Sequence, residues 1–499
     1  MGSTGERNPS LWVETTRQPD RQPLGGDVRT DVVVVGAGIA GLSTARLLAA
    51  SGRKVTVIEA GELCAGVTGY TTAKITSLQS AIYTRLVGTW GAERAAIYAA
   101  ANQAAISKIR ELATTDGIDC DLEDSSAFTY TETDEGVAII EAEADAAGRA
   151  GLGVSVTTDT DLPYEVRAAV RLDDQAQFHP RKYCLGLARA VEAAGGSIFP
   201  HTRALAVDDD AGRVTTDRGE ITADAIVLAT HIPISDAGGH FARMEPKRSY
   251  ATAFRSDDRP RGMYISIDEQ TRSVRSTADG WVIVGGEGHK VGHDDDTTRR
   301  YDALESWLGE RFGASVVEYR WSAQDYESAD GLPFIGRLNS GSKRLFVASG
   351  FGKWGMTNGT VAAMIITDLI QGTANEWAET FDSTRVAARQ SARSVLRENV
   401  DVAKRFVGDR AATRNPPAAA TLAPGTGSIA SLDGDKVAAF RDDEGTLHCV
   451  SATCTHLGCQ VSFNTAERTW DCPCHGSRFD VDGRVLQGPA VEDLARKET

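Results

Sequence analysis

Asp31-Val32-Val33-Val34-Val35 is followed by Gly36-Ala37-Gly38-Ile39-Ala40-Gly41 and then by the Ala- and Leu-rich stretch from Leu42 to Ala50. A β-branched apolar run, a glycine turn and a helix-forming segment, in that order, read as strand, tight turn and helix. Ser51-Gly52 stops the helix, Lys54 to Ile58 supplies a second strand and Glu59 closes it, which completes a βαβ unit. A GxGxxG pattern alone is a weak signal. Set between strand and helix, with an acid at Glu59 after the second strand, it reads as a dinucleotide site. Gly36 permits the turn, Gly38 lets the backbone approach a pyrophosphate, and Gly41 lets helix and strand pack closely. The helix start, with Ile39 and Ala40, offers N–H groups to phosphates, while Glu59, with Ala60 behind it, can accept from ribose hydroxyls.

The rest of the chain is consistent with a globular protein of about three domains at roughly 150 residues each, given its 499 residues. Lys plus Arg is 53 and Asp plus Glu is 69, a formal charge of −16 that argues against nucleic acid or an anionic membrane surface as the main partner. No apolar run reaches the length of a membrane helix, and the polar, Pro/Gly-rich first thirty residues lack a signal-peptide core. The expectation is a soluble, cytoplasmic protein. Helical pattern is expected from Gly69 to about Leu112, where Ile97, Ala101, Ala105, Ile109 and Leu112 share a face, and again over Glu135 to Ala147 and Tyr183 to Ala194. Strands are expected at Val154 to Thr157, Ala225 to Leu228, Ser249 to Phe254, Gly262 to Ile267, Gly280 to Val284 and Leu345 to Val347. Helices follow near Tyr301 to Glu310 and Gly359 to Ile370. A polar helix over Ser383 to Lys404 leads into Asn415-Pro416-Pro417, where a domain boundary is placed.

The βαβ unit does not separate NAD from FAD. Four later segments resemble, in order, the flavin-contacting parts of the FAD-dependent D-amino-acid-oxidase-like family. They are Gly66 to Lys74, Ala225 to Thr230, Asp330 to Gly336 and Ser349 to Thr357. The resemblance covers about residues 28 to 375. It implies FAD, with Thr68, Thr72 and Lys74 in the first segment and Thr230 in the second among the contacts. It also puts Gly350, Phe351, Gly352, Lys353 and Thr357 near the isoalloxazine ring. Gly66 to Lys74 holds no His and Ser322 to Gly336 no Cys, so the flavin is expected to be non-covalent. Gly285-Gly286-Glu287-Gly288 reads as a strand-to-loop turn without a following helix, so no NAD(P)H domain is expected.

Five of eight cysteines fall within residues 449–499. Cys454-Thr455-His456 and Cys472-Pro473-Cys474-His475 supply two thiolates for one iron and two imidazoles for the other iron of a Rieske [2Fe-2S] centre. Zinc is the competing reading of two Cys and two His. Cys459 and Cys474 match the disulfide pair of Rieske proteins of cytochrome bc complexes, which counts against zinc. Ser477 is kept from that pattern, but Phe479 stands where it has Tyr, which predicts a lower potential still suited to oxidising a flavin. Cys64, Cys120, Cys184 and Cys449 are expected to be buried, inert thiols. His289 and His293 beside Asp294, Asp295 and Asp296 read as a solvated acidic loop and not as an oxygenase iron site.

The expected architecture is an α/β FAD-binding Rossmann-like domain (28–75, 150–238, 330–375) interwoven with an α+β substrate or cap domain (76–149, 239–329). A helical connector (376–415) and a small all-β Rieske domain (416–499) follow. Whole-chain resemblance to bacterial fusions of these modules implies a dehydrogenase acting on CH-NH or CH-NH2 donors. Hydride would pass to FAD, single electrons to the cluster through exposed His456 and His475, and on to an external acceptor. The alternatives are a flavoprotein fed by a partner reductase, or an oxidase with a structural cluster. His289, Lys290, Lys353, Arg248 and Tyr250 are the candidate substrate-site residues.

Overall fold

The computed structural model describes residues 8–294, 296–314, 316–386 and 416–498. Val28–Val35 is the centre of an eight-stranded sheet, paired in parallel with Val55–Ile58 on one side and Gly219–Leu228 on the other. Leu345–Ser349 and Ser197–Phe199 extend it in parallel, and Phe334–Arg337 adds an antiparallel edge. Val32, Val33 and Val34 are fully buried, as a strand covered on both faces must be. Helix Ile39–Ala50 lies between Gly355–Gln371 and Pro180–Ala193. Gly359 allows the first contact, because a Cβ there would sit 3.2 Å from the Ile39 side chain.

A nine-stranded sheet forms the second domain, in the order Tyr319–Ser328, Met244–Arg255, Trp281–Lys290, Arg272–Ser276, Met263–Ser266, Glu123–Thr131, Ala168–Gln177, Lys74–Ile75. Ser155–Thr157 pairs beside Ala168–Gln177. This sheet therefore claims Lys74–Ile75 and 155–177, which the sequence segmentation gives to the nucleotide domain. Its helices include Ile82–Trp90, Ala92–Thr115, Asp134–Arg149 and Thr298–Phe312. The expected face of the long helix is buried, apart from half-buried Ile97.

Three local expectations are corrected. Helix begins only at Ile82, because Val67–Tyr70 is a short 3-10 turn and Lys74–Ile75 is drawn into the sheet by Gln177 and Ala176. Gly285 to Gly288 is not a turn: the strand runs on to Lys290, held by ladder pairs from Ala251↔Gly285 to Lys247↔Lys290 with a bulge at Arg248/Tyr250. Strand Arg272–Ser276 carries two arginines and so escaped a reading based on apolar pattern. Residues 387–404 of the expected polar helix lie outside the described residues.

The C-terminal module has two small antiparallel sheets, Gly427–Leu432, Asp435–Arg441, Leu447–Ser451 and Ser462–Asn464, Thr469–Asp471, Arg478–Phe479, Val485–Gln487. Trp470, Phe479, Val461 and Val450 fill its core. It is docked against the second sheet and helix Thr298–Phe312. Thr297 Oγ1 donates to Asn464 Oδ1 at 2.7 Å and Tyr301 Oη to Glu467 Oε1 at 2.8 Å. Pro473 sits against Gly292, where a Cβ would lie 2.7 Å from it. No helix among the described residues is long and apolar enough to cross a membrane.

Candidate active site and cluster site

A cavity of about 1210 Å³ runs from the first βαβ turn to the second sheet. Gly36, with φ +107°, approaches the next strand so closely that a Cβ would meet Ala229 O at 2.4 Å. Gly41 packs helix on turn, where a Cβ would lie 1.9 Å from Gly36 O. Thr68 Oγ1 accepts from Ile39 N at 3.1 Å, and Glu59 accepts from the backbone of Ala37 and Gly61. The free backbone at a helix start, an acid at the second strand and this volume fit a dinucleotide cofactor. Gly36, Gly38, Ile39, Ala40, Glu59, Ala60, Thr68, Thr72, Lys74, Thr230, Phe351 and Lys353 lie on the wall. Gly41, Gly350 and Gly352 act through the backbone behind it. Thr357 turns away, its hydroxyl accepting from Gln79 Nε2 at 2.9 Å.

Lys74 is buried on this wall and donates to Ser273 Oγ. Burial, helped by the neighbouring Arg275, pushes its ammonium down to about 7. Further along, the wall carries Lys247, Lys290, Lys353 and Glu245, with Glu327 behind. Lys247 pairs with Glu327 at 2.7 Å and Glu245 at 3.6 Å, Lys353 with Glu327 at 3.7 Å, and Lys290 with Glu245 at 3.8 Å. Each of these three ammonium groups thus lies within ion-pair distance of Glu245 or Glu327. Tyr250 Oη lies 3.1 Å from His289 Nε2, whose other nitrogen donates to Lys290 O. Burial pushes His289 down to about 4, so this ring is neutral. Arg248, by contrast, is not on the wall. It is fully buried under the C-terminal module, bonded to Ser322 and Gln324 and 3.7 Å from Asp471. Burial raises Asp471, but Arg248 and Arg478 outweigh it and hold the carboxyl below its ordinary value. Asp294 is no solvated acid either: it is buried between Arg299 and Arg300.

In the C-terminal module Cys454 and Cys472 come together, and His456 and His475 stand with ring centroids 5.0 Å apart. Both Nδ1 atoms are buried and have no hydrogen-bond partner among the described residues. The hydrogen bond from Cys472 lowers the Cys454 thiol, which eases formation of a thiolate. Two orphaned imidazole nitrogens and a close thiol pair in one module are the donor set that a two-Cys, two-His [2Fe-2S] site requires. Cys459 and Cys474 form the disulfide. They lie near Cys472 but have no thiolate to offer. Cys64, Cys120, Cys184 and Cys449 are buried free thiols.

The histidine edge is not exposed. His456 Nε2 meets Asp236 at 3.1 Å, and Phe241 packs edge-on against both imidazoles. Tyr326 Oη donates to His475 O at 2.8 Å and Gln324 Nε2 to Gly476 O at 2.7 Å. Asp325 and His231 line the cavity next to these two residues, with His231 Nε2 on Asp325 Oδ1 at 2.7 Å and Gln487 on His231 Nδ1 at 2.7 Å. None of Tyr326, Gln324, Asp325, His231, Lys247 and Glu245 was singled out from sequence. The available signal was a strand, Tyr319–Ser328, that buries polar side chains on both faces.

A family model described as FAD dependent oxidoreductase (DAO) matches residues 31–369, and one described as Rieske [2Fe-2S] domain matches residues 417–497. YhfW of Bacillus subtilis (strain 168), by name a Rieske 2Fe-2S iron-sulfur protein, is 35% identical over 495 residues, covering 97% of this chain and 96% of its own. The cytochrome b6-f complex iron-sulfur subunit 1 of Nicotiana tabacum is 45% identical over 83 residues, 16% of this chain and 34% of its own. Among solved structures, glycine oxidase from Geobacillus kaustophilus superposes with TM-score 0.60 at 19% identity, over 72% of this chain and 100% of its own. L-amino acid deaminase from Proteus vulgaris gives 0.61 at 16% identity, over 74% and 100%. At these identities the structural likeness speaks for the fold.

Proposed function

Because the chain belongs to the DAO family of FAD-dependent oxidoreductases and carries a Rieske [2Fe-2S] domain, we propose that it is a dehydrogenase of amine or amino-acid-like substrates. FAD supplies a two-electron acceptor and the cluster a one-electron carrier. The observation that carries the reading is the wall of Lys247, Lys290 and Lys353 beside the neutral Tyr250–His289 pair, in a cavity whose far end is the dinucleotide turn. These ammonium groups on the cavity wall bind a substrate carboxylate and orient it. Lys74, uncharged above about pH 7, takes up a proton at Nζ, so that a neutral amine faces the cofactor. The electrons leave to an external one-electron acceptor, and the reaction belongs in the cytoplasm.

Anaerobic titration of the FAD-loaded protein with a panel of amines and amino acids tests this. One of them is expected to bleach the flavin. If none does while a reduced ferredoxin does, the chain works in the reductive direction and the dehydrogenase reading fails.

A further inference from the structure

The Rieske module meets the flavoprotein at strand Tyr319–Ser328, where both cofactor sites are involved. Strand Tyr319–Ser328 reaches the flavin side through two hydrogen bonds from the loop 350–353. Gly352 N donates to Tyr326 O at 3.0 Å, and Lys353 N donates to the Asp325 carboxylate. Tyr326 is fully buried, and its phenol donates to the carbonyl of His475, a cluster ligand. Gln324 donates to the next carbonyl, Gly476, from the same face of the strand. A Cβ on Gly476 would lie 2.6 Å from Gln324 Nε2 and 2.8 Å from Tyr326 Oη, so the cluster loop is seated directly on this pair. The module's own sequence has Phe479, fully buried, at the position where the cytochrome-type pattern has a tyrosine.

We propose that Tyr326, supported by Gln324, is the positioning residue that joins the two redox sites: it fixes the cluster loop against the flavin loop so that electrons cross within the docked protein, without movement of the Rieske module. Electron transfer weakens steeply with distance and is favoured by a path of covalent and hydrogen bonds over a gap. Here the path is Lys353 N–H to Asp325, the 325–326 peptide, the Tyr326 ring, and its hydrogen bond to His475. The inference rests on the dehydrogenase reading for its direction. With both groups bound, the flavin would supply two electrons singly, each converting one ferric ion of the cluster to ferrous, with an external one-electron acceptor reoxidising the cluster in between and the flavin proton leaving through the cavity.

The test uses the full chain loaded with FAD and cluster, with the flavin reduced photochemically so that no substrate is needed. In the unmodified protein the cluster's EPR signal is expected to follow flavin reduction at a rate independent of protein concentration and of added viscogen. Tyr326→Phe keeps the ring and removes the donor. It is expected to slow that rate about tenfold and to shift the cluster's EPR g-values and midpoint potential. Gln324→Leu is expected to do the same to a smaller degree. A rate that falls with viscosity, or a Tyr326→Phe variant with unchanged rate and potential, overturns the proposal. Failure of every amine to bleach the flavin while the photochemical result holds would instead sink the substrate reading alone.

Discussion

The two redox sites are built in opposite ways. The proposed cluster ligands Cys454, His456, Cys472 and His475 lie within one short stretch, on two loops clamped by the Cys459–Cys474 disulfide, and the site is closed by its own module and by Phe241. The flavin cavity draws its wall from segments between Val35 and Val491, and remains a single large space with charged groups at one end. A cluster held by four strong bonds needs few residues at fixed spacing. A cofactor held by backbone approach and a substrate held by charge need many, each contributing little. The sites should therefore fail separately, and the join between them should fail without either.

The largest effect is expected from Cys472→Ser, which removes a ligand: iron content and the reduced-cluster EPR signal should be lost while FAD content is retained. Loss of both would show that the flavin cavity depends on the cluster module. Gly41→Ala is the converse. Its Cβ meets the fixed carbonyl of Gly36, so FAD content should drop, with about 1–3 kcal/mol of stability lost in chemical denaturation and the iron kept.

Gly292→Ala attacks the join. The new Cβ meets Pro473 Cα at 2.8 Å between two cluster-loop cysteines, and φ is +70°. Iron and FAD contents should be unchanged, while cluster reduction by photoreduced flavin slows about tenfold. The smallest effect concerns Lys74 in the flavin-free protein. Its folded pKa, about 7, lies below the ordinary 10.5, so the unfolded chain binds the extra proton between those values and stability rises with pH across that window. Below about pH 7 the burial cost is fully present. Lys74→Met should thus stabilise the protein by about 1–2 kcal/mol near pH 6, with the gain fading by about pH 10, the size being tempered by solvent in the open cavity. A gain that does not vary with pH would mean that Lys74 is not buried as a charge.

The same contrast explains what could be read in advance. The βαβ turn and the Rieske domain were legible because each is a local requirement: a glycine with positive φ, an acid after the next strand, two Cys-His pairs at fixed spacing. Lys353 and Phe351, legible through the order of segments, do lie on the cavity wall. Arg248 was a sound type of residue in the wrong place, since nothing in the sequence tells that Asp471 and Arg478 will cover it. Tyr326 and Gln324 read as ordinary strand residues. Their contacts to His475 and Gly476 span about 150 residues and have no local signature. For the same reason His456 and His475 were expected to be exposed, as a module considered without its docking partner would have them.

We propose that both sites serve one oxidation in one docked protein. The direct measurement is anaerobic rapid mixing of the FAD- and cluster-loaded chain with the amine or amino acid that bleaches its flavin, with spins counted by EPR. Flavin bleaching is expected to be followed by the reduced-cluster signal, at a rate that does not change with protein concentration. A flavin that stays bleached beside an oxidised cluster, or a cluster reduced only in proportion to protein concentration, would contradict it.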